Sequence, residues 1–258
     1  MSALFANLLL AHFLADFPLQ WDSMVEDKRQ KLSRGFGLYV HGLIVAAISW
    51  LAIGYWCYWW LAALVAVSHS LIDYGKVKFT ANGPVSFVMD QVLHVVSLCA
   101  LSRFFLAFHT WSQWACIPST WTLLAPSLAC AYLFCLSPAN YFVREIVAYC
   151  KVKDNVNRKG VAVCPEEVRR SGMLIGSLER TLILSFVLMG SLEAAGLTIA
   201  AKSLLRFNDD DGPRTEYVLA GTLLSLLIAL ACATALYCFA LDVDVVGIIK
   251  AGVTNARS

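Results

Sequence analysis

The stretch "VSFVMDQVLHVVSLCALSRFFLAF", residues 85–108, decides how the rest of the chain is read. A helix needs about 20 apolar residues to cross the hydrocarbon core of a bilayer, and this run supplies them. Yet Asp90 and His94 stand inside it, four residues apart. On a helix that spacing puts both on one face. A charged carboxylate at the centre of a span costs roughly 2.5–3.5 kcal/mol on insertion scales, and less toward the interface. The stretch therefore reads as a membrane helix that tolerates polar groups for a reason.

The same pattern extends along the chain. Of 258 residues 59% are hydrophobic and only 15% charged. Soluble domains are nearer a quarter charged, which argues against an ordinary soluble enzyme. The charges fall in blocks at 22–34, 75–78, 144–170, 202–216 and 242–257. Outside these blocks only Asp16, Asp73, Asp90, Arg103, Glu179, Arg180 and Glu193 are charged. The apolar runs between the blocks predict an all-α, polytopic transmembrane helix bundle of about seven spans, at 3–20, 36–54, 57–74, 85–108, 119–147, 173–200 and 217–241. The first lacks a basic leader and holds His12 and Asp16, so it is expected to be a mature span and not a signal peptide. The sixth contains Glu179, Arg180, Gly190, Glu193 and Gly196, which leaves a bend or a re-entrant course open.

Basic residues set the expected orientation. Lys28, Arg29, Lys31, Arg34, Lys76, Lys78 and most of the remainder fall in one set of loops. The positive-inside rule places 22–34, 75–84, 148–171 and the C-terminus in the cytoplasm, with the N-terminus outside. These residues read as topology signals and lipid contacts, with no nucleic-acid partner. The expected organisation is an N-terminal bundle over 1–147, a cytoplasmic loop over 148–171, and a C-terminal transmembrane pair and tail over 172–258. The nine cysteines form no CxxC pair and mostly act as small apolar residues. A bridge between Cys57 and Cys116, both near the expected outer face, is left open.

The histidines and aspartates repeat at helical spacing. His12 precedes Asp16 by four, His69 precedes Asp73 by four, and Asp90 precedes His94 by four. His41 lies early in the second span, and His109 falls near the outer face as a surface residue. The first and third spans run toward the cytoplasm and the fourth runs away from it. The reversed order in the fourth therefore puts every Asp on the cytoplasmic side and every His one turn deeper. One polar layer built by four helices accounts for His12, Asp16, His41, His69, Asp73, Asp90 and His94. Imidazole and carboxylate are ligands of zinc and other divalent first-row ions, so all seven are candidate metal ligands. Seven exceed one tetrahedral shell, which implies a second ion or outer partners and a general base. Asp16, His41 and Asp90 are the candidate catalytic residues, with His41 a further ligand or a proton-transfer group. A proton or ion relay and plain polar packing are the competing readings.

The segments "LLLAHFLADFPLQ" (8–20), "HSLIDYGKVKF" (69–79) and "MDQVLH" (89–94) resemble domain-of-unknown-function family 3307, bacterial multi-span membrane proteins. The segments "GSLERTLIL", "AAGLTIAAKSLLRF" and "EYVLAGTLLS" resemble its longer members. The resemblance covers about 3–94 and 172–230, implies a bacterial inner-membrane location, and brings no agreed activity. More loosely, the HxxxD pairs are similar to those of membrane-bound metal-dependent hydrolases.

In the C-terminal half, Glu179, Arg180, Lys202 and Arg206 suit charge pairing between helices with interfacial snorkelling of Lys202 and Arg206. Alternatively, Arg180, Lys202 and Arg206 form a basic pocket for an anionic headgroup. "NDDDGPR" at 208–214 reads as a solvated turn. The expected function is a metal-dependent hydrolase with one or two divalent ions, zinc first. It would act on a lipid-like ester or phosphoester in the cytoplasmic half of the membrane. The alternatives are a divalent-cation or proton transporter using the same layer, and a non-catalytic scaffold stapled by metal. A transporter is disfavoured by the lack of an inverted repeat and by first four spans that are largely apolar beyond the layer, with Ser49, Ser97 and Arg103 among the exceptions. Homo-oligomers stay open.

Overall fold

A computed structural model describes residues 2–31, 34–79, 83–109, 119–151, 166–206 and 212–239. Among these the chain is all-helical: α1 (Ala3–Asp16), α2 (Asp22–Lys31), α3 (Phe36–Ile53), a 3-10 turn (Trp56–Tyr58), α4 (Trp59–Phe79), α5 (Pro84–Phe108), α6 (Ser119–Leu136), α7 (Pro138–Lys151), α8 (Glu166–Leu188), α9 (Leu192–Arg206) and α10 (Gly212–Phe239). The helices form two compact units, Met1–Leu133 and Phe134–Ser258. The boundary thus falls inside α6, ahead of the expected seam at 147, and α7 groups with the C-terminal helices. The centre of the 148–171 loop, Cys116, most of the 208–214 turn and the tail lie outside the described residues.

In the first unit α1 packs on α3 and α5, α3 on α4, and α4 on α5, so four helices close a ring around one interior. The Ser2 side chain caps α1 by accepting from the Phe5 N–H at 3.3 Å. The helix stops at Asp16, short of the expected residue 20, because Pro18 offers no N–H to continue it. Gly54 ends α3 in the left-handed conformation, φ 76°, with its N–H bonded to Trp50 O. Pro84 sits in the first turn of α5, where a missing N–H costs nothing. The polar helix α2 lies against α3, and the approach is close: a Cβ on Gly37 would come within 2.4 Å of Met24 O.

In the second unit α10 packs on α7 and α8, and α8 on α9. The expected fifth span, 119–147, is interrupted at Ser137, before Pro138 starts α7, yet Thr122–Val147 still forms one stretch able to cross a membrane. The expected sixth span breaks at Gly190. Its φ of 75° and the bonds Gly190 N–H to Val187 O and Ser191 N–H to Phe186 O form a Schellman motif that ends α8.

Burial is arranged inside out. Leu43 is 71% exposed and Val96 59%, whereas His41 is 0% and His94 1%. Water would reverse that distribution; lipid favours it, since intramembrane ionisable groups face the bundle interior. Among the described residues four stretches are long and apolar enough to cross a membrane: Phe36–Ile53, Pro84–Phe108, Thr122–Val147 and Gly221–Cys238. The apolar helix α1 is shorter, at 14 residues.

Candidate metal centre

Each ring helix contributes to the centre at the register the sequence sets. Helix α1 supplies His12 and Asp16, α3 supplies His41, α4 supplies His69 and Asp73, and α5 supplies Asp90 and His94. All are buried except Asp16, whose side chain is still only 8% exposed. Their donor atoms gather into three overlapping groups, each within 4.8 Å: Asp16, His41 and His69; Asp73, Asp90 and His94; and His12, His69 and His94. All seven residues proposed from the sequence are therefore brought together.

The first group is the tightest. Asp16 Oδ1 lies 3.2 Å from His41 Nε2 and 3.1 Å from His69 Nε2. The two Nε2 atoms are 2.9 Å apart. Ligands at about 2.0–2.1 Å from one ion stand about 2.9–3.4 Å from each other as the angle opens from a right angle to tetrahedral. All three separations fall in that interval. In the second group, Asp73 Oδ1 and Asp90 Oδ1 each lie 3.5 Å from His94 Nε2. Asp73 Oδ2 faces the other way, 3.7 Å from His41 Nε2 and 3.9 Å from His69 Nε2. One carboxylate thus presents an oxygen to each group. The His69 and His94 rings stack at 4.0 Å, and His12 lies against both.

Hydrogen bonds leave this cluster unsatisfied. His12 Nδ1, Asp16 Oδ1, His41 Nδ1, Asp90 Oδ1 and His94 Nε2 are buried with no hydrogen-bond partner. Asp16 Oδ1 is near two imidazoles yet lacks the directionality of a hydrogen bond to either. Stranding such groups costs about 1–3 kcal/mol each. A cation among them removes that cost, and it also neutralises buried carboxylates. The donor set, imidazole nitrogen with carboxylate oxygen, is one that divalent first-row ions accept. These groups can hold a metal ion.

The structure adds residues that sequence reasoning missed. Lys28 and Lys76, expected as topology signals, turn toward the centre. Lys28 is 6% exposed, and its Nζ lies 2.5 Å from Asp73 Oδ2. Lys76 Nζ lies 2.7 Å from Asp90 Oδ2. Gln20 accepts from Lys28 at 2.7 Å and donates to Asp16 O at 3.2 Å, with its amide assigned from these bonds. Gln91 donates to Asp90 Oδ2 at 3.2 Å and its Oε1 is 3.4 Å from His12 Nε2. One signal was in the sequence: Met24 and Lys28 share a face of α2, and both are buried.

Arg180 departs from the expected basic pocket. It is 2% exposed, and its guanidinium donates to Cys135 O at 2.8 Å, Ser225 Oγ at 2.9 Å and Asn140 Oδ1 at 2.5 Å. Its donors are used inside the protein and are not offered to a headgroup. Lys202 pairs with Glu179, as the charge-pairing reading expects. The Arg206 side chain lies outside the described residues. His109 stacks on Phe105 at 4.8 Å, next to Tyr58 and Trp60 and apart from the centre.

No curated protein and no solved structure matches the chain. Residues 4–124 match the family described as "Protein of unknown function (DUF3307)". That segment, just under half of the chain, spans α1–α5 and carries all seven residues of the His/Asp layer; over it the chain is similar to this family.

Proposed function

We propose that the protein is a metal-dependent hydrolase of the bacterial inner membrane. It acts on a lipid-like ester or phosphoester in the cytoplasmic half of the bilayer. The observation that carries this reading is the convergence of seven donor residues from four helices, six of them buried, with five donor atoms that lack hydrogen bonds.

Asp16, His41 and His69 would hold one divalent ion, with zinc the best match to nitrogen and oxygen donors. Asp73, Asp90 and His94 would hold a second, and Asp73 would face both. A bound divalent ion supplies hydroxide near neutral pH and polarises a carbonyl or phosphoryl oxygen. His12, beside His69 and His94, orients those rings or adds a ligand. Whichever of His41, Asp16 and Asp90 is not spent on the ion is placed to take or give a proton. The apolar outer faces of α3, α4 and α5 suit contact with lipid, from which such a substrate would arrive.

Lys28 and Lys76 weigh against a cation transporter using the same residues, because two fixed positive charges beside the layer repel a passing cation. The test is metal analysis of detergent-purified protein, with turnover of a lipid ester and phosphoester panel measured with and without chelator. The expected result is stoichiometric divalent metal and chelator-sensitive turnover, both lost in His69→Ala and Asp90→Ala. Protein with no stoichiometric metal would falsify the reading. Metal flux into proteoliposomes without turnover would favour transport. Bound metal with neither would leave a scaffold.

A further inference from the structure

Lysines beside a metal centre, one of them buried, need a reason. Asp16, Asp73 and Asp90 bring three negative charges, and Lys28 and Lys76 return two positive ones, so the protein's own groups come to a single negative charge. Imidazoles that ligate a metal are neutral. One dication takes the centre to one positive charge, and two take it to three. A metal-bound hydroxide cancels the first total, but the second still leaves two positive charges in a low-dielectric interior, which an incoming anion would meet. Metal ligation would also draw the aspartates' charge toward the ions, leaving the two ammonium groups with weakened partners. A centre evolved only to bind cations gains nothing from such lysines.

Their placement is specific. Lys28 comes from α2, which docks on α3 through the close approach at Gly37, so its Nζ is carried to Asp73 by a helix outside the four-helix ring. Lys28, Leu38, Asp73, Tyr74 and Val77 line a crevice beside the centre no larger than a water molecule. Lys76 reaches Asp90 while remaining 37% exposed, so this edge of the centre meets the surroundings. Gln20 steadies Lys28, and Gln91 steadies Asp90.

We propose that Lys28 and Lys76 form an anion-recognition edge, and that the group brought to the centre is a phosphoryl group rather than a neutral ester. This rests on the metal-centre reading above. Two ammonium donors beside divalent ions complement the several charged oxygens of a phosphoryl group, while a neutral carboxylic ester gives them no charge to meet. A phospholipid headgroup and a free phosphate share this chemistry.

The experiment uses the full chain in detergent, loaded with zinc and titrated separately with inorganic phosphate, dioctanoyl phosphatidic acid and dioctanoylglycerol. Zinc content is measured on every variant, which also shows that each has folded around its centre. The expected result is phosphoryl binding that weakens roughly tenfold or more in Lys28→Gln and in Lys76→Gln with zinc content retained. The double Arg variant, Lys28→Arg with Lys76→Arg, should keep most of it. Binding of phosphatidic acid with none of inorganic phosphate identifies the lipid headgroup as the source. Equal binding of the two identifies the phosphoryl group alone. Unchanged phosphoryl affinity in the zinc-loaded Gln variants, or dioctanoylglycerol binding as tightly as phosphatidic acid, overturns the anion edge and leaves the metal centre standing. Wild-type protein that takes up no zinc overturns the metal centre, and this inference with it.

Discussion

His41 Nε2 and His69 Nε2 stand 2.9 Å apart, on helices that run in opposite directions, with the Asp16 carboxylate closing the triangle. Two neutral imidazoles at that distance satisfy each other only if one donates and the other accepts. Three donors at these separations surround an ion without strain. His69 is also shared with His12 and His94 in a second group, whereas His41 belongs to one. Replacing His69 with Ala should therefore lower metal affinity more than replacing His41. The loss should exceed the roughly 10–100-fold that removal of an outer-shell partner brings. Metal per protein after dialysis against graded chelator measures it, and equal retention in the two variants would count against a shared ligand.

Helix α2 is held at the centre by an absence of side chain. A Cβ on Gly37 would meet Met24 O at 2.4 Å and Lys28 N at 3.2 Å, both backbone atoms that cannot rotate away. Gly37→Ala should push α2 off α3 and cost about 1–3 kcal/mol, the usual range for overpacking. Because Lys28 rides on α2, the same substitution should weaken the Lys28–Asp73 pair. A lowered thermal midpoint in detergent checks the first effect. Faster acylation of Lys28, buried in the wild type, checks the second.

The sequence made the centre legible because its signal is local. An HxxxD or DxxxH pair fixes a shared helix face by itself, and the reversed order at Asp90 and His94 fixes depth once helix direction alternates. Tertiary placement was less legible. The face shared with Met24 sets Lys28 apart from Arg29, but nothing local says that it reaches Asp73. That contact depends on the α2–α3 docking at Gly37. The break in the sixth span depends on backbone conformation at Gly190 where the alternatives were continuity or a bend. Arg180 reads as a charge-pairing or headgroup-binding residue because its actual acceptors, Cys135 O, Asn140 and Ser225, lie far away in sequence.

The turn between α2 and α3 carries a pH dependence that can be measured. Asp27 accepts from Lys31 at 2.8 Å and from the Gly37 N–H at 2.7 Å. The Lys31 bond first, then the Gly37 N–H, hold its carboxyl below the ordinary value of about 3.9. A carboxyl with a depressed folded pKa adds stability that is present above the ordinary value and fades as pH falls through the lowered one. The difference in thermal midpoint between wild type and Asp27→Asn should therefore be constant from pH 7 to about 5 and close only in more acid solution. A difference that instead grows on acidification would assign the turn's stability to another group.

Arg180 should be the least replaceable residue of the second unit. Its guanidinium ties Cys135 O, Asn140 and Ser225 together, joining α6, α7 and α10 to α8 in a place that water does not reach. Hydrogen bonds from a charged donor contribute about 1.5–3 kcal/mol each, and the acceptors they leave behind stay buried. Arg180→Met fills similar volume but strands those acceptors, and should cost roughly 3 kcal/mol or more. Arg180→Lys keeps the charge but loses the planar fork that reaches several acceptors at once, so it should recover only part of that loss. Denaturation in graded detergent, run as a double-mutant cycle with Asn140→Ala, isolates the pair. Strict additivity of the two substitutions would show that the Arg180–Asn140 bond contributes nothing of its own. A coupling of about 1 kcal/mol or more is the expected result.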